Sequence, residues 1–282
     1  MDLTSPKTIR EIQNKFGFSF KKGLGQNFLT SRDVLLDIVD AAEIDKGVLE
    51  IGPGFGVLTK ELSEAAEKVV SIELDDSLFD VLDYTLADCD NVKIIKGDAL
   101  KIDIKSLIEE EFPNQKISIA ANLPYYITTP IISRLLEEKL PLNNIVVMVQ
   151  KEVAQRLCAS PGTKDYGAIT LLCQYYTEPE ITTIVKAGLF VPPPKVDSAV
   201  LTLHMLSEPR VKPKDEKVFF KTIKAAFSQR RKTLLNCLSS SFPYPKEEIE
   251  KTLLDIGIDP KRRGETLSIE DFKNLADKLC DM

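Results

Sequence analysis

The sequence predicts an α/β fold: a mostly parallel sheet covered by helices, closed at one edge by an antiparallel strand, with a small all-helical domain after it. Three observations predict it. Residues 31 to about 205 alternate short apolar runs with helical periodicity, as chains do when each crossover returns parallel to the previous strand. The apolar runs 180–186 and 198–204 are joined through Pro192-Pro193-Pro194, which leaves no room for a crossover helix, so this last pair must be antiparallel. Beyond Pro209 and Pro213 only helical spacing remains. The expected organisation is an N-terminal arm and loop over residues 1–30, a catalytic domain over 31–208 and a helical domain over 209–282.

The elements follow in order. Thr8 to Phe16 reads as a short helix, and a glycine-bearing loop succeeds it. The strand 47–51 runs into Gly52, Gly54 and Gly56, and Val57, Leu58, Leu62, Ala65 and Ala66 then keep helical spacing. Strands at 68–73, 92–96 and 116–121 end at or just before Glu73, Asp98 and Asn122, and a strand at 145–149 follows. In the tail, Val218, Phe219, Ile223, Ala226 and Phe227 form one helical stripe, and Ile249, Leu253 and Leu254 another. Asp259-Pro260 predicts a helix start, and Ser268 with Asp271 a capped one.

Open parallel sheets bind ligands at their carboxyl edge, so the groups at these four strand ends are expected to converge. Glycines allow a sharp turn and close approach of backbone to ligand. Their spacing here is G-x-G-x-G, whereas the dinucleotide fingerprint is G-x-G-x-x-G, which favours a nucleoside cofactor over one with a pyrophosphate. Glu73 lies about 20 residues beyond the loop, where ribose-binding acids occur. Asn122-Leu-Pro-Tyr125 suits chemistry on an adenine amine, whose lone pair is delocalised into the ring. Such an amine needs acceptors for its N–H hydrogens, which the Asn122 amide and the Leu123 carbonyl can supply. It also needs a flat support, for which Tyr125 is suited, beside a turn stiffened by Pro124.

Composition narrows the classes. Five cysteines without C-x-x-C spacing indicate neither a zinc site nor a disulfide framework. The one histidine, His204, reads as a strand surface residue, so histidine chemistry is not expected. No apolar run approaches a membrane span, and the polar N-terminus lacks a secretory core, so a cytoplasmic location is the default. A monomer is expected. Net charge is −6, but it is segregated. Residues 1–32 carry six bases and two acids, residues 210–232 nine bases and two acids, and residues 33–209 fifteen bases and twenty-nine acids. Basic segments flanking an acidic body form an electrostatic footprint for nucleic acid.

Taken together, the motifs resemble those of the KsgA-type ribosomal RNA adenine dimethyltransferases, class I (Rossmann-like) enzymes with a seven-stranded sheet that use S-adenosylmethionine. The resemblance covers nearly the whole chain. Its marks are Lys22-Gly-Leu-Gly-Gln-Asn-Phe-Leu29, Glu50-Ile-Gly-Pro-Gly-Phe-Gly56, Asn122-Leu-Pro-Tyr-Tyr126, Gly188-Leu-Phe-Val-Pro-Pro-Pro-Lys-Val-Asp-Ser198, Ala226-Phe-Ser-Gln-Arg-Arg-Lys-Thr-Leu234 and Arg263-Gly-Glu-Thr-Leu-Ser268. The resemblance implies that Asn27 and Leu29 close over the cofactor, that Gly52 and Gly54 lie against its amino-acid portion, that Glu73 holds its ribose and that Asp98 reads its adenine. It implies that Asn122, shared with the cofactor site, and the Leu123 carbonyl hold the target amine, with Tyr125 and Phe190 on the two faces of the base. Lys21, Lys22, Arg230, Arg231 and Lys232 would contact RNA phosphates. The implied product is N6,N6-dimethyladenosine at two adjacent adenosines near the 3′ end of small-subunit (16S) ribosomal RNA, made during subunit biogenesis, with no metal.

The macrolide-resistance methyltransferases of the large subunit share the first four marks and are the alternative, although their tails look less like this one. A DNA adenine methyltransferase, an assembly-escort protein and a nicotinamide oxidoreductase are further classes. The small tail stands against the first and the glycine spacing, with no hydride-handling His or Tyr-Lys pair, against the last; the intact cofactor motifs argue against loss of activity but leave an assembly-escort role open.

Overall fold

A computed structural model describes every residue except Lys22 and Leu24. Its strands in chain order are β1 (Phe28–Leu29), β2 (Gly47–Ile51), β3 (Lys68–Glu73), β4 (Val92–Lys96), β5 (Ile117–Asn122), β6 (Leu142–Gln150), β7 (Thr177–Val185), β8 (Phe190–Val191) and β9 (Ser198–Met205). The helices are α1 (Pro6–Phe16), α2 (Arg32–Ala41), α3 (Val57–Ala65), α4 (Phe79–Thr85), α5 (Ile104–Glu111), α6 (Thr128–Glu137), α7 (Lys151–Leu157), α8 (Ala168–Tyr176), α9 (Glu216–Ala226), α10 (Leu234–Ser239), α11 (Lys246–Asp255) and α12 (Ile269–Cys280).

Seven strands form one sheet in the order β4-β3-β2-β5-β6-β9-β7. Strands β2 to β6 pair in parallel, and β9 runs antiparallel to β6, with Gln150 opposite Ser198. From β2 the chain steps outward to β3 and β4, then returns to place β5 on the other side of β2. That reversal of strand order opens a crevice beyond the carboxyl ends of β2 and β5.

The sheet is apolar on both faces. Val48, Val69, Ala120, Val146 and Val200 join a core that includes Ile9 and Ile12 of α1, Leu35 and Ile38 of α2, Leu58 and Leu62 of α3 and Leu82 of α4. Their strand neighbours Leu49, Val70, Ile119, Val147 and Leu201 point to the opposite face and are buried as well. Helix α1 is thus integrated into the sheet's core, and Phe16 packs on Tyr84 at 5.5 Å.

Two features were not legible beforehand. The connection from β7 to β9 contains β8, which pairs antiparallel with β1, Phe28 opposite Val191 and Leu29 opposite Phe190. The pairing stops at Val191 because the prolines that follow have no N–H to donate. The compact units also divide differently from the expected boundaries: Met1–Ala154 with Pro179–Met205, and Gln155–Glu178 with Leu206–Met282. Helix α8 joins the later helices because Tyr175 packs on Phe219 at 5.2 Å and on Phe220 at 5.1 Å.

Within this second unit the Asp215 carboxylate accepts the Lys217 and Val218 amides and starts α9, and Ser268 and Asp271 cap α12 reciprocally. Asp259-Pro260 does not start a helix. Asp259 Oδ1 accepts the Lys261 amide in a turn, and α12 begins only at Ile269.

Candidate active site

The site is built from strand ends. After β2 the backbone is left-handed at Gly52 (φ 74°) and Gly54 (φ 59°), a conformation costly to residues with a Cβ. A Cβ on Gly54 would lie 2.6 Å from Phe28 Cε1, so the loop and the N-terminal arm approach each other only because it is glycine. At Gly52 no atom lies within 4 Å of the Cβ position, and the loop is open on that side.

Glu73, at the end of β3, is 6% exposed. Its Oε1 accepts the Asp75 amide at 2.7 Å and its Oε2 the Gly54 amide at 3.3 Å, so one carboxylate ties the glycine loop to the next strand end. Burial raises its pKa against those backbone bonds. Asp98, after β4, is held well ionised by the Leu100 amide and, behind it, by Lys101. Asn122, the last residue of β5, donates its amide hydrogen to the Asn27 carbonyl at 3.0 Å. That bond fixes the amide plane and leaves the side-chain oxygen for a ligand. Tyr125 is half-buried, and its hydroxyl pairs with Ser198 at 2.7 Å.

Asn27, Leu29, Gly52, Gly54, Glu73, Asp98, Asn122, Leu123 and Tyr125 line one cavity of ≈ 200 Å³. Its walls are mostly apolar, with Leu74, Ala99, Leu100 and Tyr126 among the lining residues. An apolar slot edged by two carboxylates and a glycine loop suits a nucleoside bearing a cationic sulfonium: acids for hydroxyls and amine, flat apolar surface for the base, no pyrophosphate cradle. Among the described residues there is no cluster that could hold a metal ion. No described helix is long and apolar enough to cross a membrane.

Other residues singled out in the sequence lie elsewhere. Phe190 is 3% exposed, sits in the core with Phe28 and Leu29, and does not line the cavity. Lys21 directs its ammonium to Asp75 Oδ1 at 2.5 Å and to Ser77 Oγ at 3.1 Å. Lys22 lies outside the described residues. Arg230, Arg231 and Lys232 are exposed on the second unit, where Arg230 also donates to the Lys164 carbonyl at 2.5 Å. His204 lies on β9 with its ring 3.4 Å from Glu180.

Sequence reasoning missed three participants. Glu50 lines the cavity from inside β2, 1% exposed, and its Oε2 accepts the hydroxyls of Thr59 and Ser71, each at 2.7 Å. Burial pushes its pKa up to about 7, against those two hydroxyls and with Glu73 adding repulsion. Its signals were a lone acid between Leu49 and Ile51 and its place at the head of the glycine motif, to which no role was attached. Asp75, buried, takes hydrogen bonds from Lys21, Gln26 and Ser77. Burial alone would raise its pKa, but these donors lower it, and it latches the arm that carries Asn27. Ser198 ended the proline-rich motif, and nothing local paired it with Tyr125.

A family model described as ribosomal RNA adenine dimethylase matches residues 17–281. Two curated relatives, each called ribosomal RNA small subunit methyltransferase A, come from Bacillus cytotoxicus and Bacillus mycoides. They are 52% and 51% identical to this chain over 284 residues, spanning 99% of it and 97% of each relative. Among solved structures, a dimethyladenosine transferase from Plasmodium falciparum is similar with a TM-score of 0.73 and 26% identity, over 88% of this chain and 95% of that one. The 23S rRNA methyltransferase ErmE is similar with a TM-score of 0.68 and 28% identity, over 90% of this chain and all of that one.

Proposed function

The chain belongs to the ribosomal RNA adenine dimethylase family, and from that premise we propose that it methylates N6 of two adjacent adenosines near the 3′ end of small-subunit ribosomal RNA. The product is N6,N6-dimethyladenosine and the donor S-adenosylmethionine. When bound, the donor supplies an electrophilic methyl group on a sulfonium that departs as a neutral thioether, so no acid is required of the protein.

What the protein contributes is alignment and charge stabilisation. Glu73 would hold the ribose hydroxyls, its two oxygens already oriented by the Asp75 and Gly54 amides and each with capacity for a further bond. Asp98 would accept the cofactor's adenine amine. Gly52 and Gly54 would face its amino-acid portion, and Asn27 and Leu29 would cover it from the arm. Asn122 Oδ1 and the Leu123 carbonyl would accept the two N–H hydrogens of the target amine, turning its lone pair toward the methyl group, with the base flat on Tyr125.

Phe190 reaches the other face of the base only if it leaves its core packing. The attacked nitrogen is acidic once it carries the new methyl group, so its proton passes to water without a dedicated base. The base must be unstacked to enter the cavity. Arg230, Arg231 and Lys232 would hold the RNA through phosphates, which position without reading sequence.

The observation that carries the proposal is the Asn122 amide, pinned by the Asn27 carbonyl, in one cavity with Glu73 and Asp98. Mass spectrometry of ribosomal RNA from cells with and without the gene tests it. Loss of dimethyladenosine from the small-subunit RNA is expected. Loss from the large-subunit RNA would assign the enzyme to the macrolide-resistance type, and no change in either would overturn the proposal.

A further inference from the structure

The loop between β7 and β9 touches both halves of the site. At one end Thr30 donates its amide and its hydroxyl to the Leu189 carbonyl, each at 2.8 Å, next to the β1–β8 pair that anchors the arm. At the other end Ser198, fully buried, meets the Tyr125 hydroxyl at 2.7 Å. Ser198 itself stands on a braced backbone. The neighbouring Asp197 accepts Lys186 Nζ at 2.8 Å and the Ala187 amide at 3.1 Å through its carboxylate, and the Lys151 amide at 3.0 Å through its carbonyl. Ser198's own partner across the sheet is Gln150.

We propose that Ser198 is a positioning residue for methyl transfer: its buried hydroxyl holds the Tyr125 phenol so that the ring keeps one place beside the target adenine. This rests on the reading of Tyr125 as the base platform.

The physical case is geometric. A tyrosine ring is set by two torsions, and Tyr125 is only half-buried, so packing alone leaves its tilt underdetermined. A hydrogen bond at the far end of the ring fixes the swing about Cα–Cβ, because the phenolic oxygen moves furthest in that rotation; it bears on the ring's spin about Cβ–Cγ only through the preference of the phenolic O–H for the ring plane. The acceptor of the methyl group must lie in line with the donor, and a small tilt of the supporting ring displaces the amine from that line. Ser198 touches neither base nor cofactor in this scheme, and acts through Tyr125.

A double-mutant cycle on the full-length enzyme tests it. The assay is methyl transfer from S-adenosylmethionine to small ribosomal subunits lacking the modification, with calorimetric cofactor affinity measured in parallel. Ser198→Ala and Tyr125→Phe should each lower kcat roughly three- to tenfold, as for one lost neutral hydrogen bond. Cofactor affinity should stay unchanged, and KM for the subunit should move less than kcat. The double variant should be no slower than the slower single one, since both remove the same bond.

If the two losses multiply, the residues act independently and the inference is overturned. The inference also fails if both single variants turn over like wild type. Tyr125→Phe keeps the ring and guards against a Ser198 variant that merely folds poorly. Tyr125→Ala separates the two levels. A large loss there, with normal rates for Ser198→Ala and Tyr125→Phe, overturns the positioning role alone, whereas no loss there removes Tyr125 as the platform.

Discussion

Replacing Glu50 with glutamine should reshape the pH dependence of stability, and the structure sets the size of the effect. The carboxyl is 1% exposed inside β2, with two hydroxyls donating to one oxygen. Its pKa rises from 4.5 to about 7 on folding, by burial first and then by Glu73. A folded pKa above the unfolded one means that the native state holds the proton more tightly. The corresponding stability is complete below about pH 4.5 and is lost as pH climbs to about 7. At roughly 1.4 kcal/mol per unit this amounts to about 3 kcal/mol.

Glutamine accepts the same two hydroxyl bonds and never ionises. Its buried NH2 group imposes an offset of about 1–3 kcal/mol if it finds no partner, but that offset is the same at every pH. Urea unfolding from about pH 4 to about pH 8, without cofactor, should therefore show Glu50→Gln gaining on wild type by about 3 kcal/mol across the range. Glu73 is shifted in the same direction in both proteins, and its repulsion with Glu50 disappears in the variant, so the difference between them reports Glu50 together with that coupling. Parallel curves for the two proteins would refute the reasoning.

Glu73→Ala should weaken S-adenosylmethionine binding in calorimetry roughly 10- to 100-fold, the cost of one to two hydrogen bonds to a charged group. Asn122→Ala should lower kcat roughly hundredfold, by analogy of scale with loss of a transition-state hydrogen-bonding group, while cofactor affinity changes little. Lys21→Ala removes the cation from a carboxylate with no exposed surface. Since Lys21 is itself half exposed, the loss should be only about 1 kcal/mol, read as faster proteolysis of the arm and a several-fold weaker cofactor complex. Changing Arg230, Arg231 and Lys232 together to alanine should weaken binding to all RNAs alike and flatten the log–log salt slope by roughly 0.7–0.9 per lost contact. Unchanged affinity across a salt titration would instead mean that the cluster only solvates its own unit.

Much of the catalytic layer was legible because parallel sheets obey local rules. Apolar runs of five or six residues between helical stretches mark β2 to β6 in turn as parallel strands, and the residue at each carboxyl end lands on one edge whatever the details of packing. Gly52, Glu73, Asp98 and Asn122 could be placed together on those grounds alone. What the sequence left open were the partners of single polar groups.

Lys21 reads as a free phosphate contact and closes instead on Asp75, 54 residues away. Ser198 meets Tyr125 across 73 residues, and β8 finds β1 from the far side of the sheet. Phe190, an aromatic before a proline lip, packs inward. Helix α8 takes its place among the later helices because of ring contacts between Tyr175 and the phenylalanines of α9. A strand or helix pattern is repeated over many residues and survives an error at any one of them. A hydrogen bond between two side chains is a single event, set by where distant backbone happens to return, and only the folded chain decides it.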